Sequence, residues 1–139
     1  MFKNILVPTD FADDDSHALE IAVKLRSPGK GKIHLLHVIE VIANTTFEEF
    51  KDFYEKLEER SFKDLDKMTA LFHERGVDIA PTVIYGERAH EILRYAHENE
   101  IDLIIMKSHR IDVEDRAQGW GTISYKVGIL ARCPVMLVK

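Results

Sequence analysis

The sequence predicts an α/β domain, a doubly wound parallel sheet of five strands with helices on both faces. Short apolar runs rich in β-branched residues recur at Ile5-Leu6-Val7, Ile33 to Ile39, Val77 to Ile84, Leu103 to Met106 and Val135 to Val138. Several are apolar on consecutive positions, the pattern of strands covered on both faces. Longer amphipathic stretches separate them, so strand and helix alternate as crossovers in a parallel sheet require. The 139 residues fit about one domain. No composition shift or internal repeat divides them, so residues 1–139 are read as a single unit.

The helical stretches follow in order. DDDSHALEIAVKLRS carries Ala18, Leu19, Ala22, Val23 and Leu25 at helical spacing and ends before Pro28-Gly29. The longest candidate runs from about Phe47 to Arg75, with a stripe of Phe50, Tyr54, Leu57, Ser61, Leu65, Met68 and Leu71 or Phe72. At ~1.5 Å per residue it would exceed roughly 40 Å, so it either overhangs the sheet or breaks near its start. A coiled coil is disfavoured, because Asp64 falls where a heptad through Phe50 and Leu57 expects an apolar residue. ERAHEILRYAHENE puts Ala89, Ile92, Leu93 and Ala96 on one face, and TISYKVGILARC does the same with Ile123, Val127, Ile129 and Leu130.

Composition narrows the class. With 45% hydrophobic and 31% charged residues the chain is an ordinary globular one. A formal charge of -5 and the lack of a Lys/Arg cluster argue against nucleic-acid binding, which needs cations to displace counterions from phosphates. No apolar run approaches the ~20 residues of a membrane span, and MFKNILVPTD has no signal-peptide pattern, so a cytoplasmic protein is expected. The lone Cys133, at a helix-to-strand junction, reads as a buried, inert thiol.

In an open parallel sheet, ligands gather beyond the carboxyl ends of the strands where strand order reverses. After the first strand come Pro8, Thr9 and Asp10, with Asp10 placed to bond a ribose or to hold a metal through water. Asp13, Asp14 and Asp15 are better explained as helix-start residues favoured by the dipole. No glycine run follows this strand, which excludes a P-loop or dinucleotide fingerprint there. After the fourth strand the loop opens with Lys107, His109 and Arg110 and closes on Gly121-Thr122, a helix start that can gather an anion or simply be capped by Thr122. His34 and His37 have no companion at metal-ligand spacing and read as polar residues satisfied inside the fold. His90 and His97 are two helical turns apart, too far for one metal.

The segments KNILVPTD, HVIE and GTISYKVGILARCPVMLVK together resemble the universal stress proteins. The resemblance covers essentially the whole chain. It implies the strand order 3-2-1-4-5, a tendency to dimerise, and membership of a family divided into nucleotide-binding and non-binding branches. In the binding branch the loop after strand four reads G-x-x-G, nine residues, then G-S/T, and holds ATP phosphates. By that resemblance Asp10 meets the ribose or adenine side, Val38 the base, and Gly121 and Thr122 the phosphates. Pro8, Thr9, Met106, Lys107, His109, Arg110 and Ile123 complete the implied cofactor-binding set.

Here the first two glycines are replaced by Lys107 and Arg110, and the spacer has ten residues including Asp112, Glu114 and Asp115. Glycine lets a phosphate approach the backbone; a side chain either fills that space or substitutes a charge. The loop therefore reads as a rebuilt phosphate site. ATP with magnesium in the usual geometry is disfavoured, while AMP or no nucleotide stays open. The expected role is a non-catalytic, dimeric stress-response binding protein, paired through the apolar edge Val135 to Val138. The alternatives are an ATP- or AMP-binding protein with slow hydrolysis, and a scaffold whose long helix recruits an unidentified protein partner.

Overall fold

The structure, a computed structural model, describes residues 1–11, 16–108 and 123–139. The apolar runs form β1 (Asn4–Pro8), β2 (Lys32–Ile39), β3 (Ile79–Tyr85), β4 (Leu103–Lys107) and β5 (Val135–Val138). All pair in parallel in the order β3-β2-β1-β4-β5, as expected. Among the described residues four α-helices flank them: α1 (Ser16–Leu25), α2 (Lys51–Glu74), α3 (Arg88–Glu98) and α4 (Ile123–Leu130).

Strand parity divides the core in two. Ile5, Val7, Ile33, Leu35, Ile79, Leu103 and Ile105 face Ala18, Leu19 and Ala22 of α1 and Leu65 and Phe72 of α2. Leu6, Leu36, Val38, Ile104 and Met106 face Ala89, Ile92 and Ala96 of α3 and Val127 of α4. The consecutive apolar residues of the strands are thus explained, since each neighbour enters a different layer. Ile5, Leu6 and Val7 are fully buried, and each such aliphatic side chain contributes about 1.5–3 kcal/mol.

β1 and β4 are tied at their amino ends. The Asp102 carboxylate accepts from the backbone N–H of Lys3 at 2.8 Å and of Asn4 at 3.0 Å. The β1–β4 ladder has rungs at Ile5–Leu103 and Leu6–Ile104 and stops, although β1 runs on to Pro8 and β4 to Lys107. The two central strands are therefore laddered only at their amino ends, and the switch point above, where open α/β sheets form their ligand crevice, carries no rungs. On the other side Gly86 ends β3, its N–H donating to Ile39 O at 3.0 Å. Its φ of 149° and the Glu91 Cγ only 2.5 Å from where a Cβ would stand reserve the position for glycine. Glu87 then caps α3, its carboxylate accepting from Ala89 N and His90 N.

The long helix breaks near its start. A 3₁₀ turn at Glu48–Phe50 precedes α2, and Phe50, at φ -125° and ψ 30°, interrupts the helical path. Helix α2 lies on β2 and β3 as a packed crossover. Its buried stripe is Tyr54, Ser61, Leu65, Thr69 and Phe72. One position of the expected stripe is corrected: Phe50 is exposed because it sits in the break. Leu57 and Met68 are half-buried, and of the pair Leu71 or Phe72 it is Phe72 that enters the core. On α4 only Val127 is buried; Ile129 and Leu130, expected on the inner face, are 65% and 63% exposed. Cys133 is half-buried, short of the full burial expected, and desolvation pushes its thiol pKa up, which disfavours the thiolate.

The stripe assignment has a measurable consequence. Phe72→Ala is expected to cost about 3–5 kcal/mol in urea unfolding, and Leu71→Ala within about 0.5 kcal/mol. Equal losses for the two variants would contradict the placement of α2.

Candidate functional site

The chain leaves β1 through a tight corner. Thr9 is buried, and its N–H donates to Leu36 O at 2.8 Å, extending the β1–β2 ladder one residue past Pro8. The Thr9 hydroxyl accepts from Phe11 N at 3.2 Å and lies 4.0 Å from Met68 Sδ on α2. Phe11 adopts φ 63°, a left-handed conformation uncommon outside glycine. Asp10, between these two fixed residues, is exposed at the carboxyl edge of the sheet.

His37 secures the corner from beneath. Its Nδ1 lies 2.9 Å from Thr9 O, and its ring packs on Phe11 with centroids 4.4 Å apart. A carbonyl can only accept, so Nδ1 carries the proton and Nε2 is the basic nitrogen of the neutral ring. Burial is the main cause of a lowered His37 pKa; the bond to Thr9 opposes it, Arg88 reinforces it, and Asp10 and Asp64 oppose it. Asp10 from the β1 corner, Asp64 from α2 and Arg88 from α3 thus act electrostatically on one imidazole.

His34, of opposite parity to His37, points into the other layer. Its Nε2 lies 3.4 Å from Asn4 Oδ1 and its Nδ1 2.7 Å from the Tyr95 hydroxyl, which donates to it. Desolvation, helped by Lys32, lowers its pKa as well. Both histidines are satisfied within the fold, as their isolation in the sequence suggests. Among the described residues no group of three or more His, Cys, Asp or Glu side chains could hold a metal.

The other expected site residues are placed as follows. Pro8, Thr9 and Asp10 end β1; Val38, buried against α3 and α4, lies near the end of β2; Met106, buried, and Lys107, half-buried, end β4. Ile123, half-buried, is the first residue of α4. The strand order sets the ends of β2, β1 and β4 side by side, so these residues share the carboxyl edge around the crevice. His109, Arg110, Gly121 and Thr122 lie outside the described residues, as do Asp13, Asp14, Asp15 and the spacer carboxylates. Phe11, His37 and Met68 were absent from the expected set. Only the parity of His37, shared with Ile33 and Leu35, hinted that it faces the same side as the β1 corner.

The two histidines give stability a defined pH dependence. Each holds a folded pKa below its ordinary 6.5, so the unfolded chain binds a proton more readily than the native one. Their contribution is complete above pH 6.5 and is lost as pH falls through that value toward the folded pKa. The Tm is therefore expected to drop between about pH 7 and pH 5, and the double variant His34→Gln, His37→Gln to show a shallower drop. An identical pH slope in the variant would overturn the assignment.

Comparison with known proteins gives the same frame. Residues 1–139 match the model of the universal stress protein family. The universal stress protein YxiE of Bacillus subtilis is 31% identical in an alignment covering all of both chains. The solved structure of MJ0577, a universal stress protein of Methanocaldococcus jannaschii, has a TM-score of 0.82 at 27% identity, covering 100% of this chain and 96% of that one. A universal stress protein of Archaeoglobus fulgidus solved in complex with dAMP has a TM-score of 0.65 at 17% identity, covering 99% and 98%, a likeness of fold alone. With the strand order and a family match along its whole length, the chain belongs to the universal stress protein family.

Proposed function

We propose that the chain is a one-domain, dimeric regulatory binding protein that works through ligand or partner binding without turnover, and whose phosphate loop is rebuilt. The observation that carries this reading is Lys107. It stands half-buried at the end of β4, beside the crevice, where the family's nucleotide-binding pattern has a glycine. A lysine there removes the close backbone approach that a triphosphate uses and offers a point charge instead. The nucleoside half is better preserved, since Asp10 is held at the corner by Thr9 and His37 and Val38 lies on the adjoining strand. A nucleoside monophosphate asks only for that half and one anion contact. The dAMP bound by the Archaeoglobus fulgidus relative is of this class.

The two sheet edges differ in a way that supports pairing through β5. Edge strand β3 contains Pro81, which has no N–H to offer a neighbour. The β5 run Val135-Met136-Leu137-Val138 contains neither proline nor charge, and Met136 and Leu137 are exposed along with Ile129 and Leu130 of the adjacent helix. Such an edge invites a second strand, and a two-fold pair of copies covers it on both sides at once.

Two measurements test these readings. Titration calorimetry of nucleotide-stripped protein with AMP and ATP, each with and without magnesium, is expected to give no micromolar ATP binding, and any AMP binding should weaken in Asp10→Ala. Micromolar ATP binding abolished by Asp10→Ala would overturn the rebuilt-loop reading and favour the slow ATPase. Light scattering of Val135→Lys and Leu137→Lys is expected to give monomer masses; a dimer mass in both would remove β5 as the interface.

A further inference from the structure

Residues 40–55 cover the carboxyl ends of β2 and β3, away from β5. Within them Val41, Ile42, Phe47, Phe50 and Phe53 are each between 38% and 51% exposed, an unusual density of large apolar side chains at a surface. Phe47 and Phe53 sit on a fixed aromatic base. Tyr54 is fully buried, Phe47 stacks on it at 5.5 Å and 9°, and Phe53 meets it edge-on at 5.5 Å. Tyr85 closes the group from β3, edge-on to both Phe47 and Tyr54.

Polar bonds at the margin hold this base in place. The Ile42 N–H donates to the Tyr54 hydroxyl at 2.8 Å, and the Tyr85 hydroxyl donates to Glu58 at 2.6 Å. Burial, and then the bond to Glu58, push the Tyr85 pKa well up, so the phenol keeps its proton and the bond persists. Rigid aromatic anchors lose little entropy on contact, which is what a recognition surface needs.

The rim gives the partner its charge. Glu40, Glu48, Glu49, Asp52 and Glu55 are all exposed, and the one cation among residues 40–55, Lys51, lies 4.0 Å from Glu55. A second copy placed on this surface by two-fold symmetry would set these carboxylates against their own counterparts. Anionic lipid and nucleic acid are repelled for the same reason. The complementary occupant is apolar on one side and cationic around it.

We infer that this surface, built on Phe47, Phe50 and Phe53 and framed by carboxylates, docks a basic amphipathic helical segment of another protein. The apolar face of such a helix meets the phenylalanines while its lysines or arginines meet the rim. The inference rests on neither the nucleotide reading nor the β5 pairing.

The test uses the full chain and three synthetic peptides of about 18 residues: an amphipathic Leu/Lys helix, its Leu/Glu counterpart, and a Lys/Ser peptide of the same charge as the first. The Leu/Lys peptide is expected to bind in the micromolar range, the other two at least about tenfold more weakly. Amide shifts in the protein's NMR spectrum should concentrate within residues 40–55. The pair Glu48→Lys, Glu49→Lys, at two exposed positions, should weaken binding about tenfold with Tm nearly unchanged, and Phe53→Ser should weaken it about tenfold with a modest loss of Tm, since its ring meets Tyr54. Several results would overturn the inference: no binding of the Leu/Lys peptide, equal binding of the Leu/Glu or Lys/Ser peptide, shifts centred elsewhere, or binding unaffected in both variants. A dimer mass lost on Phe53→Ser would assign the surface to a second copy and overturn it as well.

Discussion

Everything in this fold depends on β1 being buried from both sides. Ile5, Leu6 and Val7 are fully removed from solvent, with alternate side chains entering different helical layers. A central strand of this kind requires helices above and below, and parallel crossovers supply them. The chain passes from β1 to β2 on one flank, while β4 occupies the other. The Asp102 carboxylate locks the lower end of the β1–β4 seam, so any opening between these strands falls at the carboxyl edge.

The corner after β1 shows how a side chain exposed to solvent can still be positioned by buried ones. Asp10 is flanked by Thr9, whose N–H and carbonyl are both engaged, and by Phe11, whose N–H is held by the Thr9 hydroxyl. The left-handed backbone of Phe11 is unfavourable by itself and survives because its ring packs on His37. A neutral imidazole suits this role, since it donates one hydrogen bond without bringing a charge into the layer. The cluster of Asp10, Asp64 and Arg88 around it places both signs within electrostatic reach of one ring.

Much of this was legible in the sequence, for identifiable reasons. Strands buried on both faces leave unbroken apolar runs, so β1, β2, β4 and β5 are visible to within a residue. At β3, Val77 is buried, but it precedes the strand itself, which begins at Ile79 and ends at Tyr85. On α2 the adjacent apolar pair Leu71-Phe72 left two choices, because a helix turns about 100° per residue and only packing decides which one faces inward. Ile129 and Leu130 carry the apolar character of a core without its burial, since sequence pattern reports what a residue avoids and not what covers it. Asp10 could be picked out by its place after a strand. The contact of Phe11 with His37 could not, because it follows from the register of β1 on β2, a relation no local pattern encodes. For the loop after β4, whose flanks Ser108 and Ile123 are described, the reading of its chemistry rests on residue identities.

The unequal edges of the sheet carry a geometric consequence. With β3 and β5 at opposite ends of the strand order, a pair of copies joined along β5, as proposed, would form one continuous ten-stranded sheet whose outermost strands are both β3. The phenylalanine surfaces beside those strands would then lie at the far ends of such a pair. Such a pair cannot engage both of its surfaces with one short segment, yet it can hold two separate chains or two distant stretches of a single long one. Avidity then depends on the length of the tether between the segments: too short to span the particle gives nothing, and a matching span turns the second contact into an intramolecular event.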